Sequence, residues 1–197
     1  MAPQIAYLET SFETSIIAEP VEPVITKPTP RIIVQPASRV IATPEAYTVS
    51  TLQSVMMAAH NRARTKIGAP NLVWDTQLAS DAALYAGSLA RSGRFGHDPQ
   101  RGRKERQGEN LWMGTRNAYP QTEMVGSWVD EDRYFKRGLF PENSTTGSWH
   151  DIGHYTQIIW PTTKRVGCAL VNNRDYDYLV CRYSPAGNVM GQDPLRG

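Results

Sequence analysis

The sequence has few cysteines, little net charge and no long apolar run. Only two of its 197 residues are cysteine, Cys168 and Cys181, which excludes a small scaffold held by many disulfides. No apolar run approaches the roughly 20 residues of a membrane-spanning helix, which excludes an integral membrane protein. The formal net charge of +2 gives no argument for a nucleic-acid partner. With 40% hydrophobic residues, the composition is typical of a chain with a packed core.

The N-terminal segment, residues 1–48, differs in composition from the rest. Seven of the fourteen prolines lie before Ser50, and residues 1–47 contain no glycine or tryptophan. Proline removes a backbone donor and fixes φ, so we predict an extended, disordered leader or spacer. A partner-binding arm is the alternative, because residues 31–34 could pair with a sheet edge. The segment has no secretory signal: the first basic residue is Lys27, and no apolar stretch lies near Met1. The chain is therefore cytosolic, or exported with its signal removed.

Residues 49–192 are predicted to form one α+β domain, with a short tail at 193–197. Apolar residues at helical spacing predict three helices, which span Ser50 or Thr51 to Gly68, Asp75 to Gly93, and about 122–135. Four strands are predicted at 111–113, 155–160, 166–172 and 178–183. The turn-rich residues 173–177 suggest that the last two strands form a hairpin. Helices followed by antiparallel strands are typical of α+β domains.

The two cysteines fall on the two strands of this hairpin. A cross-strand disulfide would fit and would add about 3 kcal/mol of stability. Buried free thiols in a cytosolic protein are the alternative, and the spacing does not decide between them. A zinc site made by Cys168 and Cys181 alone is not favoured, because no C-x-x-C motif or nearby histidine accompanies them.

Four residues with metal-binding side chains stand beside glycine or in aromatic-rich segments: His97, Glu109, Glu131 and His154. Two imidazoles and two carboxylates can hold a divalent transition metal or share protons in a cleft, and from the residues alone this is one hypothesis among several. His150 and His154 have the spacing of a zinc-protease helix. The intervening residues lack the glutamate of H-E-x-x-H, so that motif is not predicted.

Other candidate motifs carry little chemistry. The sequence contains no G-x-S-x-G elbow and no phosphate-binding glycine loop. Asn143 begins a glycosylation sequon, which matters only in a eukaryotic secretory pathway. The basic segment 101–106 is interpreted as a solvated loop, because no aromatic residues interleave with its charges.

Five segments, taken together and in order, resemble the CAP superfamily of cysteine-rich secretory proteins, antigen 5 and pathogenesis-related protein 1, also called SCP domains. They are residues 60–64 (HNRAR), 108–112 (GENLW), 128–131 (WVDE), 153–160 (GHYTQIIW) and 178–188 (YLVCRYSPAGN). The resemblance extends from Ser50 to about Gly191. It is closest to the short bacterial form, because the extra cysteines of plant and animal members are missing.

The resemblance implies a three-layer α-β-α sandwich with a central antiparallel sheet. It implies a cleft in which His97 and His154 bind Zn²⁺ or another divalent cation, with Glu109 and Glu131 nearby. It also favours a disulfide between the two cysteines, and a secreted or periplasmic (cell-envelope) protein without its signal. A further set of polar residues is expected to support the fold rather than the chemistry: Asn61, Arg64, Asn110, Tyr155, Gln157 and Asn188.

The function implied by the resemblance is that of a secreted, monomeric, metal-binding protein that acts by binding rather than by turnover. Its partner would be a lipid or sterol, a cell-wall component or another protein, and no nucleic acid. The alternative is a metal-dependent hydrolase or protease, in which a cation-bound water beside Glu109 or Glu131 attacks a carbonyl. A third hypothesis is a pH-tuned switch that releases the ion when both histidines are protonated.

Overall fold

The computed structural model describes residues 51–196, and the predicted leader at 1–48 lies outside the described residues. The helices are α1 (Leu52–Lys66), α2 (Thr76–Ser92), α3 (Gln121–Val129) and α4 (Gly153–Ile159). The strands are β1 (Val73–Trp74), β2 (Gly108–Thr115), β3 (Arg165–Asn172) and β4 (Tyr176–Ser184). Two short 3₁₀ helices lie at Asp130–Tyr134 and Trp149–Asp151. None of the helices in this part of the chain has the length and apolarity needed to cross a bilayer.

The four strands form one sheet in the order β1-β3-β4-β2. The predicted hairpin is confirmed, because β3 and β4 pair antiparallel with Cys168 opposite Cys181. These two cysteines form the disulfide that the resemblance implied. Strand β2 pairs antiparallel with β4 and ends the sheet on that side. The short strand β1 was not predicted, and it pairs parallel with β3.

Strand β4 lies inside the sheet and separates two hydrophobic cores. Leu179, Cys181 and Tyr183 pack with residues of α1, α3 and α4. Tyr178 and Val180 point to the other face and pack with α2. Because successive side chains of a strand alternate between faces, helices cover both sides of the sheet. The predicted three-layer sandwich is therefore confirmed.

The first two helices begin and end close to the residues at which capping side chains and glycines predicted their ends. The Thr51 hydroxyl accepts a hydrogen bond from the Ser54 amide. The Asp75 carboxylate accepts two bonds at the start of α2. Gly93 ends α2 with φ of 65°, a left-handed conformation that glycine adopts without a steric penalty.

Three predicted elements were wrong in type or length. The strand predicted at 155–160 is mostly helix α4, in which every residue from 155 to 159 is buried. Even the polar Thr156 and Gln157 are buried here, so this short run has no periodicity that separates a buried helix from a buried strand. The third helix was predicted to reach Phe135, but α3 ends at Val129 and continues as a 3₁₀ helix. Strand β2 is longer than predicted and begins at Gly108.

Candidate functional site

The first His–Glu pair joins the loop after α2 to strand β2. Nδ1 of His97 lies 2.6 Å from Oε1 of Glu109, and the same oxygen accepts a bond from the Asp98 amide at 3.1 Å. The Glu109 side chain is only 4% exposed, whereas that of His97 is 66% exposed. A buried carboxylate therefore holds an imidazole that faces solvent. We call this the His97 pair.

The second pair joins the 3₁₀ helix after α3 to the start of α4. Nδ1 of His154 lies 2.6 Å from Oε1 of Glu131. The other oxygen of Glu131 accepts bonds from the backbone amides of His154 and Tyr155, at 2.9 and 3.0 Å. The His154 ring also stacks on Trp128. Glu131 thus both holds the imidazole and satisfies free amides at the start of α4. We call this the His154 pair.

These contacts fix the tautomer of both histidines. An ionised carboxylate can only accept a hydrogen bond, so Nδ1 of each ring carries the proton. In a neutral imidazole the other nitrogen, Nε2, then has a free lone pair. Across residues 51–196, neither Nε2 has a hydrogen-bond partner. Each pair therefore presents Nε2 as a nitrogen acceptor.

The edge strand β2 connects the two pairs. Glu109 lies opposite Arg182 on the sheet face that α2 covers, whereas Asn110 lies opposite Cys181 on the other face. The side-chain amide of Asn110 donates a hydrogen bond to the backbone oxygen of His154 at 3.1 Å. Consecutive residues of one strand thus anchor the His97 pair and the His154 pair from opposite sides of the sheet edge.

All four predicted site residues take part in these pairs, but as two pairs rather than one compact cluster. His97 meets Glu109, and His154 meets Glu131. Within the described residues, no three His, Cys, Asp or Glu side chains are grouped so that they could hold one metal ion. The arrangement offers single imidazole nitrogens, each oriented by a carboxylate, in place of a closed metal cage.

The sequence analysis missed two charged residues of the site, Arg182 and Asp98. Arg182 is fully buried, and its Nη2 lies 2.7 Å from Asp98 Oδ2 and 2.9 Å from Glu109 Oε2. Burial alone would raise the pKa of Asp98, but hydrogen bonds from Arg182 and the Gln100 amide outweigh it and lower the pKa. The available signal was an arginine in the otherwise uncharged run 178–183.

Behind the pairs lies a buried polar chain centred on Tyr183. His60 Nδ1 donates to the Met56 carbonyl at 2.7 Å, and its Nε2 accepts from the Tyr183 hydroxyl at 2.8 Å. Asn110 donates to the same hydroxyl oxygen. Burial lowers the pKa of His60 to about 4, so this imidazole is neutral at pH 7. His60 and Asn110 therefore support the fold beneath the site.

Two other residues considered in the sequence lie outside both pairs. His150 stacks on Trp149 in a 3₁₀ helix before α4 begins, so it does not share a helix with His154. This agrees with the rejection of the zinc-protease motif. Asn143 of the sequon is fully buried, so its amide is inaccessible to glycan attachment in this fold.

A groove of about 630 Å³ lies between α1 and α3. Its apolar lining residues are small or β-branched: Val55, Ala58, Ala59, Ala63, Val125, Gly126 and Val129. Arg62 and Lys66 add positive charge on the α1 side, and Asp130 adds one negative charge. Sequence reasoning did not find this groove, because it forms between two helices that are more than fifty residues apart. We call it the helical groove.

The chain is similar to proteins of known families. The model of the cysteine-rich secretory protein family (CAP) matches residues 57–183. Pathogenesis-related protein 1C of Nicotiana tabacum is 36% identical over 143 residues, which cover 72% of this chain and 80% of that protein. Secreted protein RBT4 of Candida albicans is 35% identical over 145 residues, covering 72% of this chain and 37% of that protein. A solved structure of NaASP2 with Zn²⁺ has a TM-score of 0.59 at 22% identity, covering 77% of this chain and 88% of that one, and supports the fold alone.

Proposed function

The chain belongs to the CAP family of cysteine-rich secretory proteins, and we propose that it acts by binding rather than by turnover. The observation that carries this proposal is the state of the two glutamates. Oε1 of Glu109 and both oxygens of Glu131 accept hydrogen bonds from imidazole or amide groups, and the buried Oε2 of Glu109 forms an ion pair with the Arg182 guanidinium. Carboxylates engaged in this way orient other groups and are poorly placed to accept a proton from water.

The proposed ligands of the His–Glu pairs are divalent cations such as Zn²⁺. A carboxylate on Nδ1 orients an imidazole and increases the basicity of Nε2, which is the usual environment of a metal-binding histidine. With neutral imidazoles, Glu109, Glu131 and Asp98 contribute three negative charges and Arg182 one positive charge. The remaining two negative charges support a divalent ion. The chemistry of the donors therefore fits the group.

In this proposal His97 and His154 are the two protein ligands, and water or an oxygen atom of a bound molecule completes the shell. A cation held there would act as a Lewis acid toward such an oxygen. Zinc sites in proteins normally have three or four protein ligands. We therefore expect weaker affinity than that of a structural zinc site, and sensitivity to the loss of either histidine.

The hydrolase alternative is less well supported. It requires a carboxylate that activates a cation-bound water, with a free oxygen near that water. Three of the four oxygens of Glu109 and Glu131 accept hydrogen bonds from the protein itself, and the fourth, Glu109 Oε2, is buried beside the Arg182 guanidinium. The described residues supply binding groups and orienting groups, which favours a binding protein.

The helical groove supports a second ligand, an apolar chain with an anionic head. Its volume of about 630 Å³ lies within the roughly 300–1,000 Å³ range of small-molecule sites. Val55, Ala59 and Val129 offer an apolar surface to an acyl chain. The positive charge of Arg62 can attract a carboxylate, whereas Lys66 already forms an ion pair with Asp132 at 3.8 Å. We therefore propose that the lipid is a fatty acid.

Filling the helical groove is expected to weaken fatty-acid binding. Ala58 is exposed and lines the groove, so Ala58→Trp would place a large ring in the space proposed for the acyl chain. Exclusion of only two methylene groups corresponds to about 1.6 kcal/mol, or more than about tenfold in the dissociation constant. The measurement is titration with a fluorescent fatty acid, monitored by its emission.

Ala83→Trp is the matched control, because Ala83 is an exposed alanine of α2 and does not line the groove. This variant should bind the fatty acid as the wild type does. Equal affinity of the wild type and the Ala58→Trp variant, or no binding by the wild type, would contradict the proposed lipid site.

The proposed place of action is outside the cell. The family is one of secretory proteins, and RBT4 is named a secreted protein. The Cys168–Cys181 disulfide supports the same compartment, since such bonds persist in oxidising environments. The envelope location, the monomeric state and a cell-wall or protein partner stay predictions.

A further inference from the structure

Arg182 carries a positive charge inside the sheet. It lies on the inner strand β4, its side chain is fully buried, and it is the register partner of Glu109 on β2. Burying a guanidinium is costly unless nearby carboxylates compensate its charge. The carboxylates that compensate the charge of Arg182 are therefore the groups that its side chain holds in place.

The two carboxylates paired with Arg182 both belong to the His97 region. Its Nη2 donates to Asp98 at 2.7 Å and forms an ion pair with Glu109 Oε2 at 2.9 Å. The guanidinium carbon lies 5.1 Å from the centre of the Tyr85 ring. Nε and Nη1 have no hydrogen-bond partner in the part of the chain that the structure describes. The one side-chain hydrogen bond of Arg182 within the described residues thus goes to Asp98, and its other charged contact is the ion pair with Glu109.

These contacts fix both supports of the His97 imidazole. Glu109 uses its other oxygen, Oε1, to accept the His97 Nδ1 proton, and Asp98 is the next residue along the loop. The rest of the loop is anchored separately, because the Tyr85 hydroxyl donates to the Gly96 carbonyl and Asp81 binds Arg103 and Gln107. Those outer contacts do not reach the imidazole. A side chain that is 66% exposed has few other restraints on its orientation.

We infer that Arg182 is a positioning residue for His97, acting through Glu109 and Asp98. It holds the Glu109 carboxylate in the orientation that accepts the Nδ1 proton. Through Asp98 it also holds the loop that carries His97 beside that carboxylate. The imidazole is thereby kept in one tautomer with Nε2 free. This inference rests on the proposed cation site for its purpose, but the geometry that it predicts exists in the metal-free protein.

The test uses the full chain without metal, with Arg182→Met as the main variant. Long-range ¹H–¹⁵N NMR spectra at pH 8 distinguish the two neutral tautomers of His97. The wild type should show the Nδ1–H form alone, and Arg182→Met a mixture of both forms. Zinc affinity, measured by calorimetry on the same samples, should fall about tenfold or more, as for other residues that orient metal-binding histidines.

Two further variants keep the result interpretable. Arg182→Lys retains the charge on a shorter side chain, so its single nitrogen should reach the two carboxylates less well than Nη2 does. It should give an intermediate tautomer ratio and serves if Arg182→Met does not fold. Arg103→Met removes a cation that binds Asp81 and not Glu109, and it should leave the His97 tautomer unchanged.

The tautomer readout separates this inference from the proposed cation site. One possible result is that the wild type binds no zinc and shows a single tautomer, while Arg182→Met shows a mixture of both. This result would support the positioning role and contradict the cation site. A single Nδ1–H tautomer in folded Arg182→Met or Arg182→Lys, equal to that of the wild type, would overturn the positioning role whatever the zinc affinity.

Discussion

Replacing Arg64 with methionine is expected to lower the free energy of unfolding by about 4 kcal/mol. Arg64 is fully buried in α1 and donates to four backbone carbonyls, those of Pro70, Ile158, Trp160 and Thr163, at 2.6 to 3.1 Å. Burial lowers the pKa of its guanidinium to about 10, so the side chain is still charged at pH 7. Methionine would fill much of the volume and remove the guanidinium from all four carbonyls, of which only that of Trp160 has another backbone donor among the described residues, the Thr163 amide at 3.1 Å.

Urea unfolding at pH 7 measures this loss, and Arg62→Met is the matched control. Arg62 lies two residues earlier on the same helix and is exposed, so its replacement should change stability by less than about 0.5 kcal/mol. A loss below about 1 kcal/mol for Arg64→Met would mean that water or a shift of the backbone satisfies the carbonyls, contrary to this account.

Acidification is expected to remove about 3 kcal/mol of stability between pH 6.5 and pH 4 through His60 alone. Burial, the largest cause, lowers the pKa of this histidine from 6.5 to about 4 in the folded protein, while the Met56 carbonyl opposes the shift. The unfolded chain therefore takes up a proton near pH 6.5 and the folded chain only near pH 4. The stability is complete above pH 6.5 and is lost as pH falls toward 4.

The measurement is the free energy of unfolding at half-unit steps of pH, for the wild type and His60→Gln. The variant should be less stable at pH 7, but its stability should fall less steeply between pH 6.5 and 4. Carboxyls such as Asp81 act in a lower range: burial would raise its pKa, but hydrogen bonds from Arg103 and Gln107 lower it below 3.8. Parallel curves for the two proteins would contradict the assignment to His60.

The sequence predicted the fold where local signals and tertiary packing agree. Thr51 and Asp75 identified the starts of α1 and α2, because a capping side chain satisfies free amides by local contacts. The strand predicted at 155–160 was wrong for the opposite reason. The conformation of these residues depends on burial from several sides, including that of the polar Thr156 and Gln157, which so short a run does not encode. The three layers followed from the family resemblance, not from periodicity.

The site residues were predicted individually, but their arrangement was not. The residues alone grouped His97, Glu109, Glu131 and His154 as one hypothesis among several, and the resemblance selected that hypothesis. Their division into two pairs depends on tertiary contacts across β2. Arg182 was overlooked because charge on a strand normally indicates a solvent face, whereas here the register with Glu109 compensates a buried charge. The helical groove was not predicted either, because it exists only through the distance between two packed helices.

The most direct test of the central claim is calorimetric titration of the metal-free protein with Zn²⁺ at pH 7.5. The account predicts that the wild type binds one ion and that a His97→Ala, His154→Ala double variant does not bind it. His150→Ala is the matched control, because His150 belongs to neither pair, and it should bind as the wild type does. Absence of binding by the wild type, or undiminished binding by the double variant, would contradict the claim that the two His–Glu pairs form a cation site.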